Sequence, residues 1–277
     1  MPDAAALEDL RRRGIDLDPA GRPGEAGEEE PGHSHPHPHP QAAGGDGERR
    51  PVLGIVGAGA VGTALGVAFS RAGWPVGAVA SRDAARRERF RSLVPGVRAF
   101  AEANALLDEV ELIVLAVPDD AIPELADRLH MYSGQAMVHT SGALGAEVLA
   151  PAMAAGTQVG AFHPLVAFAD TERAIAALHG ATVAIEGDEQ LAGLLRDLAE
   201  AVGATAVRLT PGSKAAYHAA AVLAAGGFVA LLDAIAELGR VAGLDEPGSL
   251  AIYGGLIEQT LGNARALGRA SDDDPAG

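Results

Sequence analysis

The feature that most constrains this chain is a short glycine pattern in a particular setting. Gly57-Ala58-Gly59-Ala60-Val61-Gly62 reads G-x-G-x-x-G. It follows the apolar run Val52-Leu53-Gly54-Ile55-Val56 and opens a small-residue helix expected from about Ala60 to Ala72. That strand–turn–helix context is what distinguishes a dinucleotide-binding fingerprint from an ordinary glycine-rich turn, the alternative reading. Gly57 permits the tight turn, Gly59 lets the backbone approach a pyrophosphate, and Gly62 lets helix pack on strand. The amides around Gly59, Ala60, Val61 and Gly62, with the positive end of the helix dipole, then suit phosphate oxygens.

The rest of the chain alternates in the same way. Apolar runs at Val76–Ala80, Leu112–Val117, Ala136–His139 and Val159–Phe162 read as strands, with helices expected at Ala84–Leu93, Ala101–Leu107, Ala121–Leu129 and Ala146–Met153. The continuous run Leu112–Val117 is typical of a strand covered on both faces. The fold class expected is α/β: a doubly wound Rossmann-type parallel sheet, then a mostly α-helical C-terminal dimerisation domain. In that second part Thr182–Ile185 and Thr205–Leu209 read as strands and Asp188–Val202 as a helix. Lys214 to about Ala242 and Leu250–Leu267 read as further helices. The helix from Lys214 is apolar nearly all round, which implies burial in a helical domain or against a second subunit. Its charge-free stretch Ala215–Leu232 is mostly Ala and Gly, so a buried helix of a soluble protein is expected rather than a membrane span.

The domain boundaries expected are 1–50 (tail), 51–162 (dinucleotide-binding), 163–268 (helical, substrate and dimerisation) and 269–277 (tail). Residues 1–50 are rich in Gly, Pro, Glu and His and read as disordered, apart from a short helix at Ala4–Arg13. The alternating His33, His35, His37 and His39 are interleaved with prolines that fix no coordination geometry, so no metal site is assigned. The N-terminus shows no signal-peptide pattern. With no cysteine the chain has neither disulfides nor thiolate chemistry, which fits a reducing, cytoplasmic setting. A net charge of −16 argues against nucleic-acid and anionic-membrane partners and leaves a small-molecule substrate. Any anionic cofactor must therefore be held by local amides and a few arginines.

Cofactor choice turns on the end of the second strand. An NAD site commonly puts an acid there to hold the ribose 2′-hydroxyl. This chain has Ser81-Arg82, with Arg86 and Arg87 a turn later, and a hydroxyl beside a guanidinium suits a 2′-phosphate. NADP is favoured over NAD, with Asp83 as the competing acid. Val117-Pro118 follows another strand and is expected to line the cofactor path, while Asp119 and Asp120 read as helix caps.

Candidate chemistry lies at the remaining strand ends and one helix. His139-Thr140-Ser141-Gly142 and His163-Pro164-Leu165 belong at the same sheet edge as the glycine turn. Ser141 can donate to a substrate carbonyl or carboxylate, and His163 can act as acid/base or position the substrate; a purely structural histidine is the alternative. Lys214, Tyr217 and His218 stand at i, i+3 and i+4 and so share a helix face. Lys214 is the single lysine beside twenty arginines. A snorkelling helix-start lysine is the bland reading, yet a surface cation in this chain would be expected to be arginine. A compact, tunable ammonium is what arginine cannot supply.

Gly57–Gly62, Val117-Pro118, His139–Gly142, His163–Leu165 and the run Lys214-Ala215-Ala216-Tyr217-His218-Ala219-Ala220-Ala221-Val222 together resemble a family of NADP oxidoreductases. Its members pair a Rossmann-like domain with a C-terminal helical domain of unknown function. The family is similar to the 6-phosphogluconate dehydrogenase-like superfamily, with its pyrroline-5-carboxylate and ketopantoate reductases. The resemblance covers about residues 51–268. It implies a homodimer built through the C-terminal helices, an active site between domains, and a catalytic role for Lys214 with His218 where hydroxyacid dehydrogenases carry lysine and asparagine. Many relatives have asparagine where this chain has Gly226-Gly227. The function implied is hydride transfer between NADP and a small carbonyl, imine or hydroxyacid; a non-catalytic NAD(P)-binding sensor or docking protein is the alternative.

Overall fold

Alternating side chains along the strands build two cores, one on each face of a sheet. A computed structural model describes residues 49–168, 170–210 and 212–272 of the chain. Residues 1–48, with the expected short helix and the histidine run, lie outside the described residues, as do 273–277. The strands are β1 (Leu53–Val56), β2 (Val76–Ala80), β3 (Arg98–Phe100), β4 (Leu112–Leu115), β5 (Ala136–His139), β6 (Gln158–Pro164), β7 (Thr182–Glu186) and β8 (Thr205–Arg208). They form one sheet in the order β3-β2-β1-β4-β5-β6-β7-β8. β1 to β6 run parallel, β7 pairs antiparallel with β6, and β8 returns parallel to β7.

All four residues of β4 are buried. Leu112 and Val114 join Leu53, Ile55, Leu65, Phe69 and Phe162 on one face. Ile113 and Leu115 join Val56, Leu106, Ile122 and Met137 on the other. This is the two-sided coverage that a continuous apolar strand requires. The helices beside the sheet are α1 (Ala60–Arg71), α2 (Ala84–Leu93), α3 (Ile122–Arg128), α4 (Ala150–Met153), α5 (Thr171–Leu178) and α6 (Glu189–Ala201). Phe69 of α1 meets Phe162 of β6 edge-on, with ring centroids 5.8 Å apart. α6 buries Leu191, Ala192, Leu195, Leu198 and Ala199 at helical spacing, and its cap Asp188 accepts from the Leu191 amide at 2.8 Å.

Four departures from the sequence expectation concern the domain limits and burial. First, the sheet does not end near residue 162, because β6 runs on to Pro164 and β7 and β8 extend the same sheet. The helical part begins at Lys214 instead of residue 163. Second, Arg49 and Arg50, expected in the tail, are tied to the fold: Arg49 pairs with Glu111 and the Arg50 guanidinium lies 5.1 Å from the Trp74 ring centroid. Third, the last helix, α9 (Glu246–Asp272), continues into the segment expected to fray.

The fourth concerns burial. α7 (Lys214–Val222), a π-helical turn at Leu223–Gly227 and α8 (Phe228–Val241) run on as consecutive helical segments. Ala215–Leu232 is not buried within the chain; most of it is exposed. By length and composition alone, Lys214–Val241 is long and apolar enough to cross a membrane, and none of its most apolar window is buried. The helix α8 packs on α9, where Ser249 is enclosed against Gly239, but α9 itself exposes Ile252 and Leu256. Apolarity signals that a face is to be covered. Among the described residues, α9 apart, no other element covers it.

Candidate active site

The glycine turn is built as its spacing requires. Gly57 has φ of 106°, and a Cβ there would lie 2.2 Å from the Ala116 carbonyl oxygen. A Cβ on Gly62 would lie 1.9 Å from the Gly57 oxygen. Gly59 is different, since a Cβ on it would meet nothing within 4 Å. No side chain caps α1, and its first turn holds no acid. The amides and the dipole end at Ala60–Gly62 are therefore uncompensated beside the open side of Gly59, a donor set that fits a pyrophosphate. Val117 packs on this turn, its Cγ1 3.0 Å from where a Gly57 Cβ would stand, and Pro118 follows at the surface.

At the end of β2 the groups divide their roles. Asp83 caps α2, accepting from the Arg86 amide at 3.0 Å, and its carboxylate lies 3.4 Å from the Arg86 side chain. Arg87 donates to the carbonyls of Ser81 and Arg82 and braces that loop. The Arg82 side chain is exposed, with no partner among the described residues. Of the arginines singled out here, Arg82 alone is left free.

Asp119 and Asp120 do not cap a helix. They start a 3-10 turn, Asp119–Ala121, and neither that turn nor α3 has a side-chain cap bond. A proline in the first turn of α3 lacks one of the amide donors that a cap would meet. The charge of Asp119 instead reaches His139 and His163, favouring their protonated forms.

The second cluster forms where the ends of β5 and β7 flank β6 and the next helix begins. Register sets His139 beside Ala161, and Ala161 beside Glu186, so the ends of β5 and β7 flank β6 at one level. Lys214 opens α7 and is only 7% exposed. Its Nζ lies 2.7 Å from Glu186 Oε1. This is an ion pair that takes up one face of the ammonium and leaves Nζ with further N–H donors. Glu186 Oε2 accepts from the Ala146 amide at 3.0 Å, and His139 Nε2 lies 3.1 Å from the Gly145 carbonyl. One peptide, Gly145–Ala146, is thus held at both polar ends.

Two imidazoles close on the loop after β5. A Cβ on Gly142 would lie 2.6 Å from His163 Nε2 and 2.9 Å from His218 Nδ1. His218 Nδ1 is buried without a partner. His163 Nδ1 lies 3.1 Å from the Tyr217 hydroxyl, the two rings edge to face. Burial, helped by the charges of Lys214 and His218, holds His163 down at about 4, so its ring is neutral at ordinary pH. Burial pushes Tyr217 up to about 12 and lowers His139.

The structure therefore brings His218 and His163 together at Gly142, with Lys214 near enough for its charge to act on His163. Ser141 is beside them, but its Oγ accepts from the Ala143 and Leu144 amides at 3.1 and 3.0 Å. That shapes the loop and leaves the hydroxyl proton as its free function. Sequence reasoning missed Glu186, because an acid just past an apolar strand is also an ordinary strand ending. It also missed that Tyr217 pairs with His163.

Fold and glycine turn define a chain of the Rossmann-like class. Residues 38–164 match the Rossmann-like domain, and 181–272 match a domain of unknown function, DUF2520. The chain thus joins a Rossmann-like domain to DUF2520, in line with the resemblance seen in its sequence. Among solved structures it is similar to protein TM1727 from Thermotoga maritima, with 27% identity, 78% of this chain and 79% of that chain covered, and a TM-score of 0.61. A reductive aminase from Aspergillus terreus, solved with NADPH and ethyl-5-oxohexanoate, shares the fold at 21% identity, with 81% and 78% covered and a TM-score of 0.63. So does 1-pyrroline-5-carboxylate reductase from Streptococcus pyogenes, at 15% identity, 82% of each chain and a TM-score of 0.59. No curated protein matches the chain in sequence.

Proposed function

We propose that the chain is an NADP-dependent oxidoreductase acting on a small carbonyl, imine or hydroxyacid substrate. The observation that carries this reading is that His163 and His218 meet at Gly142 while the enclosed Lys214 ammonium, paired with Glu186, lies near enough for its charge to act on His163, among strand ends of the sheet that carries the Gly57–Gly62 turn. Ligands of open α/β sheets bind outside the carboxyl ends of the strands. The amides of Gly59, Ala60, Val61 and Gly62 would hold the pyrophosphate. Arg82 with Ser81 would hold the 2′-phosphate, and Val117 and Pro118 would flank the path to the nicotinamide.

A bound nicotinamide supplies or accepts a hydride. The remaining work belongs to the chain. In the reductive direction the Lys214 ammonium gives a proton to the substrate oxygen or nitrogen, or clamps the charge developing there. The Tyr217 hydroxyl, kept protonated by burial, donates to His163 Nδ1. Neutral His163 then carries its proton on Nε2, the nitrogen facing Gly142, and acts as a donor to the substrate. His218 Nδ1 faces the same gap and can return a proton to the site, while the Ser141 hydroxyl is a further donor. The NADPH-bound reductive aminase and the pyrroline-5-carboxylate reductase that share the fold support an imine or carbonyl substrate.

A panel of oxo acids and cyclic imines offered with NADPH, followed by loss of NADPH absorbance, tests the reading. Tight NADPH binding with no oxidation across the panel favours the non-catalytic sensor. The uncovered faces of α8 and α9, where Leu231, Leu238, Val241 and Leu256 are each more than half exposed, support a homodimer through these helices. Sedimentation of the full chain at micromolar concentration tests that. A monomer that partitions into lipid vesicles would refute it.

A further inference from the structure

We propose that Glu186 is the positioning residue of this site: its carboxylate keeps Lys214 an ammonium and pins that ammonium to the loop after β5. Lys214 is nearly enclosed, and a buried ammonium without a counter-ion reverts to the neutral amine. The groups around it are His139 from β5, His163 from β6, Glu186 from β7, and Tyr217 and His218 from its own helix, with Asp119 acting on the histidines from beyond β4. Among these groups the carboxylate in contact with Nζ is that of Glu186, 2.7 Å away, while the charge of Lys214 itself disfavours protonation of His139 and His163.

Position follows from the second oxygen. Glu186 Oε2 is anchored by the Ala146 amide, and the carbonyl of the same peptide, at Gly145, is held by His139. Glu186 is thereby fixed to backbone just beyond Ser141 and Gly142, and Lys214 is fixed to Glu186. The ammonium has three N–H donors, so those not turned to Glu186 remain available to a substrate. Such a lysine donates protons or clamps anions, and is held away from the amine form that would attack a carbonyl. This deepens the functional reading above and rests on it for the use made of the ammonium, but its test needs neither cofactor nor substrate.

The chain contains a single lysine, so its side-chain amine chemistry has one reporter. The full-length protein, wild type, Glu186→Gln and Glu186→Asp, is pulsed with acetic anhydride across a pH series, and acylation of Lys214 is read by peptide mass spectrometry. Only the free amine reacts. Glutamine keeps an oxygen for the Ala146 amide, so the loop survives while the charge is lost. The expected result is acylation about 10-fold faster in Glu186→Gln near pH 7.5, the gain vanishing near pH 11 where both amines are free; tenfold is one pKa unit. Glu186→Asp, which draws the charge back by one methylene, falls between the two. A gain of equal size at every pH, the mark of simple exposure, or no gain at all, overturns the proposal. Should Glu186→Gln lose its fold by circular dichroism, Glu186→Asp decides alone: a pH-dependent gain over wild type supports the proposal, and the wild-type rate or a slower one overturns it.

Discussion

The Tyr217 hydroxyl lies 3.1 Å from His163 Nδ1, joining the first turns of α7 to β6 across 54 residues of sequence. With the hydroxyl as donor, a neutral His163 carries its proton on Nε2, the nitrogen facing Gly142. Tyr217→Phe removes the hydroxyl and keeps the ring packing. Losing one such bond costs about 0.5–1.5 kcal/mol, so kcat falls roughly 3- to 10-fold with little change in the Kd for NADPH. Steady-state kinetics with the best substrate of the panel, beside NADPH fluorescence titration, measures both. An unchanged kcat shows that the bond does not serve the reaction.

His163 also sets an acid-side stability slope. In the unfolded chain its ring protonates near the ordinary 6.5, in the folded chain only at about 4. Between those values the unfolded chain binds more protons, so acidification favours unfolding. The stability held by the neutral ring is complete above about 6.5 and is lost as pH falls through about 4. Urea midpoints taken from neutral pH downward should decline less steeply in His163→Asn than in wild type. Parallel declines would contradict the burial seen here.

Lys214→Met tests the proton donor. Replacing a general acid typically costs about 10²- to 10⁴-fold in rate. Turnover should fall by that order while NADPH affinity stays within a few-fold. Unchanged turnover removes Lys214 from the reaction.

Two glycines of one turn give opposite outcomes. Gly59→Ala meets nothing in the fold, so melting temperature should hold while the added methyl fills the phosphate cradle. A loss of one good phosphate contact, about 1.5–3 kcal/mol, raises the NADPH Kd roughly 10- to 100-fold. Gly62→Ala drives a methyl into the Gly57 carbonyl and should lower the melting temperature itself. Calorimetry and fluorescence titration separate the two.

On the proposed reading, Arg82 carries the choice between cofactors. Arg82→Ala should weaken NADPH about 10-fold or more and leave NADH unaffected, because a charge-assisted bond to phosphate is worth about 1.5–3 kcal/mol. Arg86→Ala, whose guanidinium already faces Asp83, should change the ratio little. Equal losses for both cofactors would move the 2′-phosphate elsewhere.

Much of this molecule is legible before any folding. The apolar run ending at Val56 and the turn Gly57–Gly62 are local chemistry, and the Cβ clashes at Gly57 and Gly62 show why only glycine serves there. The unbroken apolar run Leu112–Leu115 and the period of 3.6 in Glu189–Ala201 identify strand and helix, because each reports which faces meet the core. The spacing of Lys214 and His218 is likewise set by one turn of helix. Short elements read less well. The helix expected at Ala146–Met153 is a 3-10 turn running into four α-helical residues, since so few residues form no stable helix by themselves.

What the chain alone determined is therefore everything carried by neighbours in sequence: the parallel sheet, the phosphate turn, and a lysine and a histidine on one helix face. Only the tertiary structure decided that Glu186 meets Lys214, that Tyr217 meets His163, and that Asp119 caps no helix. It also decided that Lys214–Val241, apolar enough to demand cover, finds little among the described residues. Those outcomes depend on strand register and on where a helix docks. Both are settled by contacts between residues far apart in sequence, which no local period or spacing encodes.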